Sequence, residues 1–144
     1  MEFFYLSLVR PLVYRKDAVD PWGPPNPGEF PGTLPEELFR FSLNPAQARR
    51  IDPEPEPYLG PLEEAGRALP GEAEQCAGYV QLPPGRYYFT QLRKGLSREE
   101  TIVMAMELQK EGLWERLKLE DRLYLRRLFE DNAPVTQIWR RIVS

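Results

Sequence analysis

The side chains able to do chemistry in this chain are arginines, carboxylates and aromatic rings, because it has no histidine and one cysteine, Cys76. That excludes Ser-His-Asp and Cys-His nucleophilic systems, imidazole zinc sites and the commonest general base. A single cysteine makes no intrachain disulfide and no thiolate cluster, and no electropositive setting for a reactive thiol can be read around Cys76. The pairs Glu54/Glu56 and Glu63/Glu64 read as carboxylates that solvate loops, since no calcium-type ligand loop surrounds them. Pro83-Pro84-Gly85 precedes a strand pattern, so it is a turn and not a phosphate cradle at a helix start. No catalytic residue, metal ligand or cofactor site is assigned on these grounds.

What remains is a combination of rings, guanidinium groups and carboxylates on strands. Two strand patterns, Arg122 to Glu130 and Val135 to Val143, flank the strong turn sequence Asp131-Asn132-Ala133-Pro134. Alternation sorts their side chains by face. Leu123, Leu125, Phe129, Ile138 and Ile142 fall on one face, with Arg127 as the exception. Tyr124, Arg126, Glu130, Gln137, Trp139 and Arg141 fall on the other. A preceding strand, Arg86 to Gln91, gives Tyr87 and Phe89 one parity. Such a face is either a solvated antiparallel surface, where tyrosine, arginine and charge pairs are common, or a cleft whose aromatic walls hold a planar or cationic molecule. The candidate ligand-binding residues are Tyr87, Phe89, Tyr124, Glu130 and Trp139, with Glu120 as a second carboxylate for the rim. In the cleft reading, replacing Tyr124 and Trp139 together leaves the fold intact.

The elements that must position these residues are legible to different degrees. Ser97-Arg98-Glu99-Glu100 has the form of a capping box, predicting a helix from Ser97 to about Gly112 with Ile102, Val103, Met106 and Leu113 near its buried side. Gly78 to Leu82 is a further strand candidate. Earlier, Phe3 to Val9 reads as a strand that continues past Pro11 through Leu12-Val13-Tyr14, and Phe39 to Leu43 as another. Pro45 to Ile51 could form one or two helical turns. Of the 16 prolines, 13 lie between Pro11 and Pro70, so the stretches 20–35 and 52–61 read as loops, excluded from long helices and central strands.

The chain of 144 residues, 42% hydrophobic and 28% charged, is one domain's worth of foldable sequence. Residues 1–85 carry a net charge of −6 and residues 86–144 a net +3. An acidic chain with pI about 5.2 argues against nucleic acid as partner, and the neighbours in Arg126-Arg127 and Arg140-Arg141 point to opposite faces of a strand. The apolar run Phe3 to Val9 is too short to cross a bilayer and has no basic region before it, which predicts a cytoplasmic protein without a membrane partner.

The segment Val80-Gln81-Leu82-Pro83-Pro84-Gly85-Arg86-Tyr87-Tyr88-Phe89 resembles the hydrophobic-Pro-x-Gly-x-Tyr strand turn of GyrI-like proteins. These are the effector-binding domains of multidrug-sensing transcription regulators and stand-alone DNA gyrase inhibitors. The order of helix, strand, turn and final strand ending Trp139-Arg140-Arg141-Ile142 is also similar, so the resemblance covers residues 74–144. It implies an α+β fold, an antiparallel sheet with a helix on one face. A single GyrI-like domain would span 1–144, with a strand–helix–strand–strand unit over 74–144 and an abbreviated, pseudo-twofold-related unit over 1–73. It also implies a ligand-binding, sensor-type function for an aromatic or cationic small molecule, held in a cleft between the units. The position of the drug sensors' buried glutamate falls on Tyr124, and no tyrosine–glutamate pair marks the hydrolases among the relatives. The alternative is a protein-interaction module that inhibits or modulates a larger enzyme such as DNA gyrase, with loops 20–35 and 52–61 as its contact surface. Two copies could pair to complete the cleft.

Overall fold

The computed structural model describes residues 1–24, 36–68 and 78–143. Cys76, most of the 20–35 loop and the first residues of the 74–144 unit lie outside them. Eight strands form one antiparallel sheet: β1 (Phe3–Leu8), β2 (Leu12–Lys16), β3 (Glu37–Leu43), β4 (Leu59–Arg67), β5 (Tyr79–Leu82), β6 (Gly85–Leu92), β7 (Arg122–Glu130) and β8 (Ala133–Ile142). The helices among the described residues are the single turn α1 (Pro55–Tyr58) and α2 (Arg98–Trp114). The expected α+β fold is thereby corrected. Strand makes up 48% and helix 17% of the described residues, and the eight strands curl into a half-barrel. The sheet order β1-β6-β8-β7-β3-β4-β2-β5 interleaves the two halves of the sequence, and it reads the same from either end when β1–β4 are exchanged with β5–β8.

Local sequence signals explain the elements. The Ser97 hydroxyl accepts from the Glu100 amide at 3.1 Å while the Glu100 carboxylate accepts from the Ser97 amide at 3.0 Å, closing the capping box that starts α2. Its buried face is Thr101, Ile102, Met104, Ala105, Leu108, Gln109 and Gly112, whereas Val103 points to solvent. The i, i+3, i+4 stripe includes small and polar residues that an apolar-only reading passes over. Asp131 and Asn132 both have positive φ, which is the backbone a two-residue hairpin turn between β7 and β8 requires.

The stretch 52–61 is corrected as well. It holds α1 and the start of β4, an interior strand. Pro61 is tolerated because the β3–β4 register shifts there and β2 pairs with β4 only at Arg67 and Gly66. The segment 45–49 forms turns.

The sheet has a core on each face. On the convex side, Phe39, Phe41, Leu123, Leu125, Ile138 and Ile142 pack against Met104, Ala105 and Leu108 of α2. The parity argument placed Leu123, Leu125, Ile138 and Ile142 there. On the concave side, Tyr14, Leu38, Val80, Leu82, Tyr87, Tyr124 and Trp139 form a second core. The short connections 9–11 and 83–84 carry the chain from β1 to β2 and from β5 to β6, bringing strands from opposite ends of the sheet order together. Curling is permitted at Gly66, where a Cβ would lie 2.5 Å from Val80 Cγ1 and 2.8 Å from the Arg15 carbonyl. The concave face is therefore no solvated surface, which corrects the first of the two sequence readings.

Candidate functional site

The concave face gathers four of the five predicted ligand-binding residues. The β6–β8 register sets Phe89 opposite Trp139, and the β7–β8 register sets Tyr124 opposite the same residue. Phe89 stacks on Trp139 with centroids 4.4 Å apart and planes 9° from parallel. Tyr87 meets Trp139 edge-on at 5.5 Å and Tyr124 at 6.2 Å. Phe4 of β1 extends the cluster, stacking on Phe89 at 5.1 Å. Tyr87, Tyr124 and Trp139 are buried, while Phe89 is half-buried. The first three form a floor and Phe89 stands at its edge.

The fifth residue is elsewhere. Glu130 ends β7 and pairs with Arg93 at 3.1 Å, outside the aromatic cluster. Glu120 accepts from Arg122 at 3.0 Å and lies 3.7 Å from Arg141. It belongs to a chain of alternating charge that runs on from Arg122 through Glu63, Arg40 and Glu64 to Lys16. The neighbouring arginines do point to opposite faces. Arg126 reaches Tyr14 on the concave side, whereas Arg127 donates to the carbonyls of Pro21, Gly23 and Asp20 and pairs with Glu37 at 2.8 Å.

Beside the rings runs a row of hydrogen-bonding groups that sequence reasoning did not single out. The Tyr14 hydroxyl donates to Glu36 Oε1 at 2.7 Å, and Arg126 Nε donates to both, at 3.0 Å and 2.7 Å. Arg126 Nη1 and the Trp139 indole N–H each donate to Gln137 Oε1 at 3.0 Å. Gln137 Nε2 in turn donates to Gln91 at 2.9 Å. Parity already put Arg126 with Tyr124 and Gln137 with Trp139. Glu36, which precedes the predicted strand 39–43, comes beside Arg126 through the β3–β7 register, and Tyr14 carried no signal because its approach depends on how far the sheet curls.

Burial raises the hydroxyl pKa of Tyr14, Tyr87 and Tyr124 above the ordinary phenol value, the first two strongly. Each stays neutral near pH 7; Tyr14 donates to Glu36 and Tyr87 to the Pro83 carbonyl at 2.6 Å, while Tyr124 accepts from Arg122. The Glu36 carboxylate is engaged by Arg126 and Tyr14. The arrangement suits holding a molecule by stacking and hydrogen bonding. Among the described residues no group of carboxylates and cysteines could hold a metal ion. A recess of about 310 Å³ lies on the convex side between Trp22, Leu96, Arg127 and Val135, and none of the predicted residues lines it. No helix among the described residues is long and apolar enough to cross a membrane. No family model matches the chain, and no curated protein matches it.

Proposed function

We propose that this is a small-molecule-binding protein whose ligand lies in the concavity of the half-barrel, against the Phe89–Trp139 stack. The observation that carries the reading is the alignment of that stack with the row Gln91, Gln137, Arg126 and Glu36 on one face. Mouths of β-barrels are habitual ligand sites, with apolar walls and a few converging polar groups. Phe89, Gln91, Arg126 and Glu36 are half-buried, so the row keeps contact with solvent above the buried floor. The ligand class is a flat, heteroaromatic molecule with hydrogen-bonding edges. A bare cation is a poorer fit, because Glu36 is already neutralised by Arg126 and Glu130 stands outside. The similarity of residues 80–89 to the GyrI-like turn supports a binding role of the same kind, in a cytoplasmic protein.

Titrating a panel of flat heteroaromatic fluorophores into wild type and Phe89→Ala tests this. Removing an aromatic wall forfeits about 0.5–1.5 kcal/mol of stacking plus the lost apolar contact, so affinity should fall about tenfold. Absence of binding across the panel, or equal affinity in the two proteins, refutes the reading.

A further inference from the structure

We infer that a second copy of this chain adds to the free edge of β1, in an antiparallel pair with a twofold axis at Leu6. Among the described residues β1 is the outermost strand of the sheet, bonded only to β6. Proteins guard such edges with lysine, proline, a bulge or a very short strand. β5, the opposite edge, has these features: four residues followed by Pro83-Pro84. β1 has none. Its sequence FFYLSL contains no charge and no proline, and its six register pairs with β6 run without a bulge. Tyr5 and Leu6 are 51% and 41% exposed, one on each face of the sheet.

The strand is complementary to itself in one register. With Leu6 against Leu6 of the second copy, Phe4 meets Leu8 and Tyr5 meets Ser7, each pair on a common face. The same register brings Glu2 of one copy to the end of β1 of the other, where Arg10 follows Leu8 by two residues, so opposite charges meet at both ends of the pair. Within the chain both side chains are exposed, and neither makes an ion pair with the described residues. Shifting the register by two residues, to Tyr5 against Tyr5, puts Glu2 opposite Leu8 and draws it away from Arg10 at both ends. Edge pairing of one short strand buries less than the roughly 1,200 Å² of a standard interface, so the dimer is weak and reversible, with dissociation in the micromolar range. The two half-barrels would then share a continuous sheet, and the pairing does not depend on what the concavity binds.

Sedimentation equilibrium of the full chain over a wide concentration range provides the test. The mass should climb from 16.8 kDa towards twice that value. Leu6→Lys sets two like charges on the axis and should hold the protein monomeric at every concentration, with thermal melting confirming the fold. Glu2→Arg and Arg10→Glu should each weaken the dimer, about tenfold for loss of more than 1.4 kcal/mol over the two symmetric pairs. The double swap should restore it. A wild type that stays monomeric, a dimer indifferent to Leu6→Lys, or a double swap no better than the single reversals overturns the inference.

Discussion

Replacing Trp139 by alanine separates the floor of the concavity from its edge. The Trp139 side chain is 2% exposed, stacks on Phe89 at 4.4 Å and meets Tyr87 at 5.5 Å. Truncating a buried tryptophan removes its transfer free energy and leaves a cavity, about 3–5 kcal/mol together. Loss of the indole N–H adds little, because Gln137 Oε1 keeps its hydrogen bond from Arg126. Trp139→Ala should therefore lower unfolding stability by about 3–5 kcal/mol. Phe89→Ala, at a half-buried position, should lose less than half as much. Adding Tyr124→Ala, at another buried ring, brings the loss into the whole stability range of an ordinary domain, about 5–15 kcal/mol. The expectation that the Tyr124/Trp139 double variant keeps its fold is thus replaced by one of unfolding. Urea denaturation followed by far-ultraviolet circular dichroism measures all three. A Trp139→Ala loss under about 1 kcal/mol would show that the concave core contributes little, and the reasoning would fail.

Ser97→Ala should destabilise α2 by about 1 kcal/mol through loss of the cap, read by thermal melting. Hydrogen bonds from Lys94, then from the Ser97 amide, hold the Glu100 carboxyl down at about 2. Its contribution is present above the ordinary glutamate value and lost as pH falls from about 4.5 towards 2, so Glu100→Gln should flatten the acid limb of the melting profile. Gly66→Val should open the curl of β2 and β5 over the concave face, costing at least about 2 kcal/mol and exposing Tyr14 to solvent in fluorescence quenching. Arg140→Met should cost about 2–5 kcal/mol in urea denaturation, because the carbonyls of Glu120 and Ala48 lose their donor in a fully buried place.

What the sequence disclosed was local. The capping box at Ser97, the Asp131-Asn132 turn and the alternation in β7 and β8 each act within a few residues, and each is found in the structure. What it hid was non-local. Nothing in Leu59–Arg67, with Pro61 and the pair Glu63/Glu64, reads as an interior strand; it becomes one through the bulged register with β3. Gln91 joins Gln137 by direct β6–β8 register and Glu36 reaches Arg126 from just before neighbouring β3, but Tyr14, on β2, joins them only because the sheet curls, and no short-range pattern encodes curvature. The face assigned to either solvent or ligand proved to be half core, since parity reports which side a residue is on and not what covers that side. The α+β expectation failed for the same reason. Seven of the eight strands overlap a strand pattern in the sequence; β4, hidden in proline-rich sequence, joins them into one sheet that outweighs the long helix α2.

The division of the concave face into a buried floor and a half-exposed edge constrains how it can work. Tyr87, Tyr124 and Trp139 are fixed by mutual ring contacts, so they supply shape and rigidity and have little freedom to adapt. The groups that still meet solvent are Phe89, Gln91, Arg126 and Glu36. Three of these four are already hydrogen-bonded within the chain, so an incoming molecule must exchange those bonds or add to them. Glutamine amides retain spare donor and acceptor capacity after one bond each, which makes Gln91 the group best able to discriminate between ligands at no loss of internal structure. Gln91→Leu should therefore leave melting temperature within a few degrees of wild type while changing the rank order of ligands in the fluorophore panel. A variant with unchanged rank order would place the recognition away from the β6 end of the row, towards Arg126.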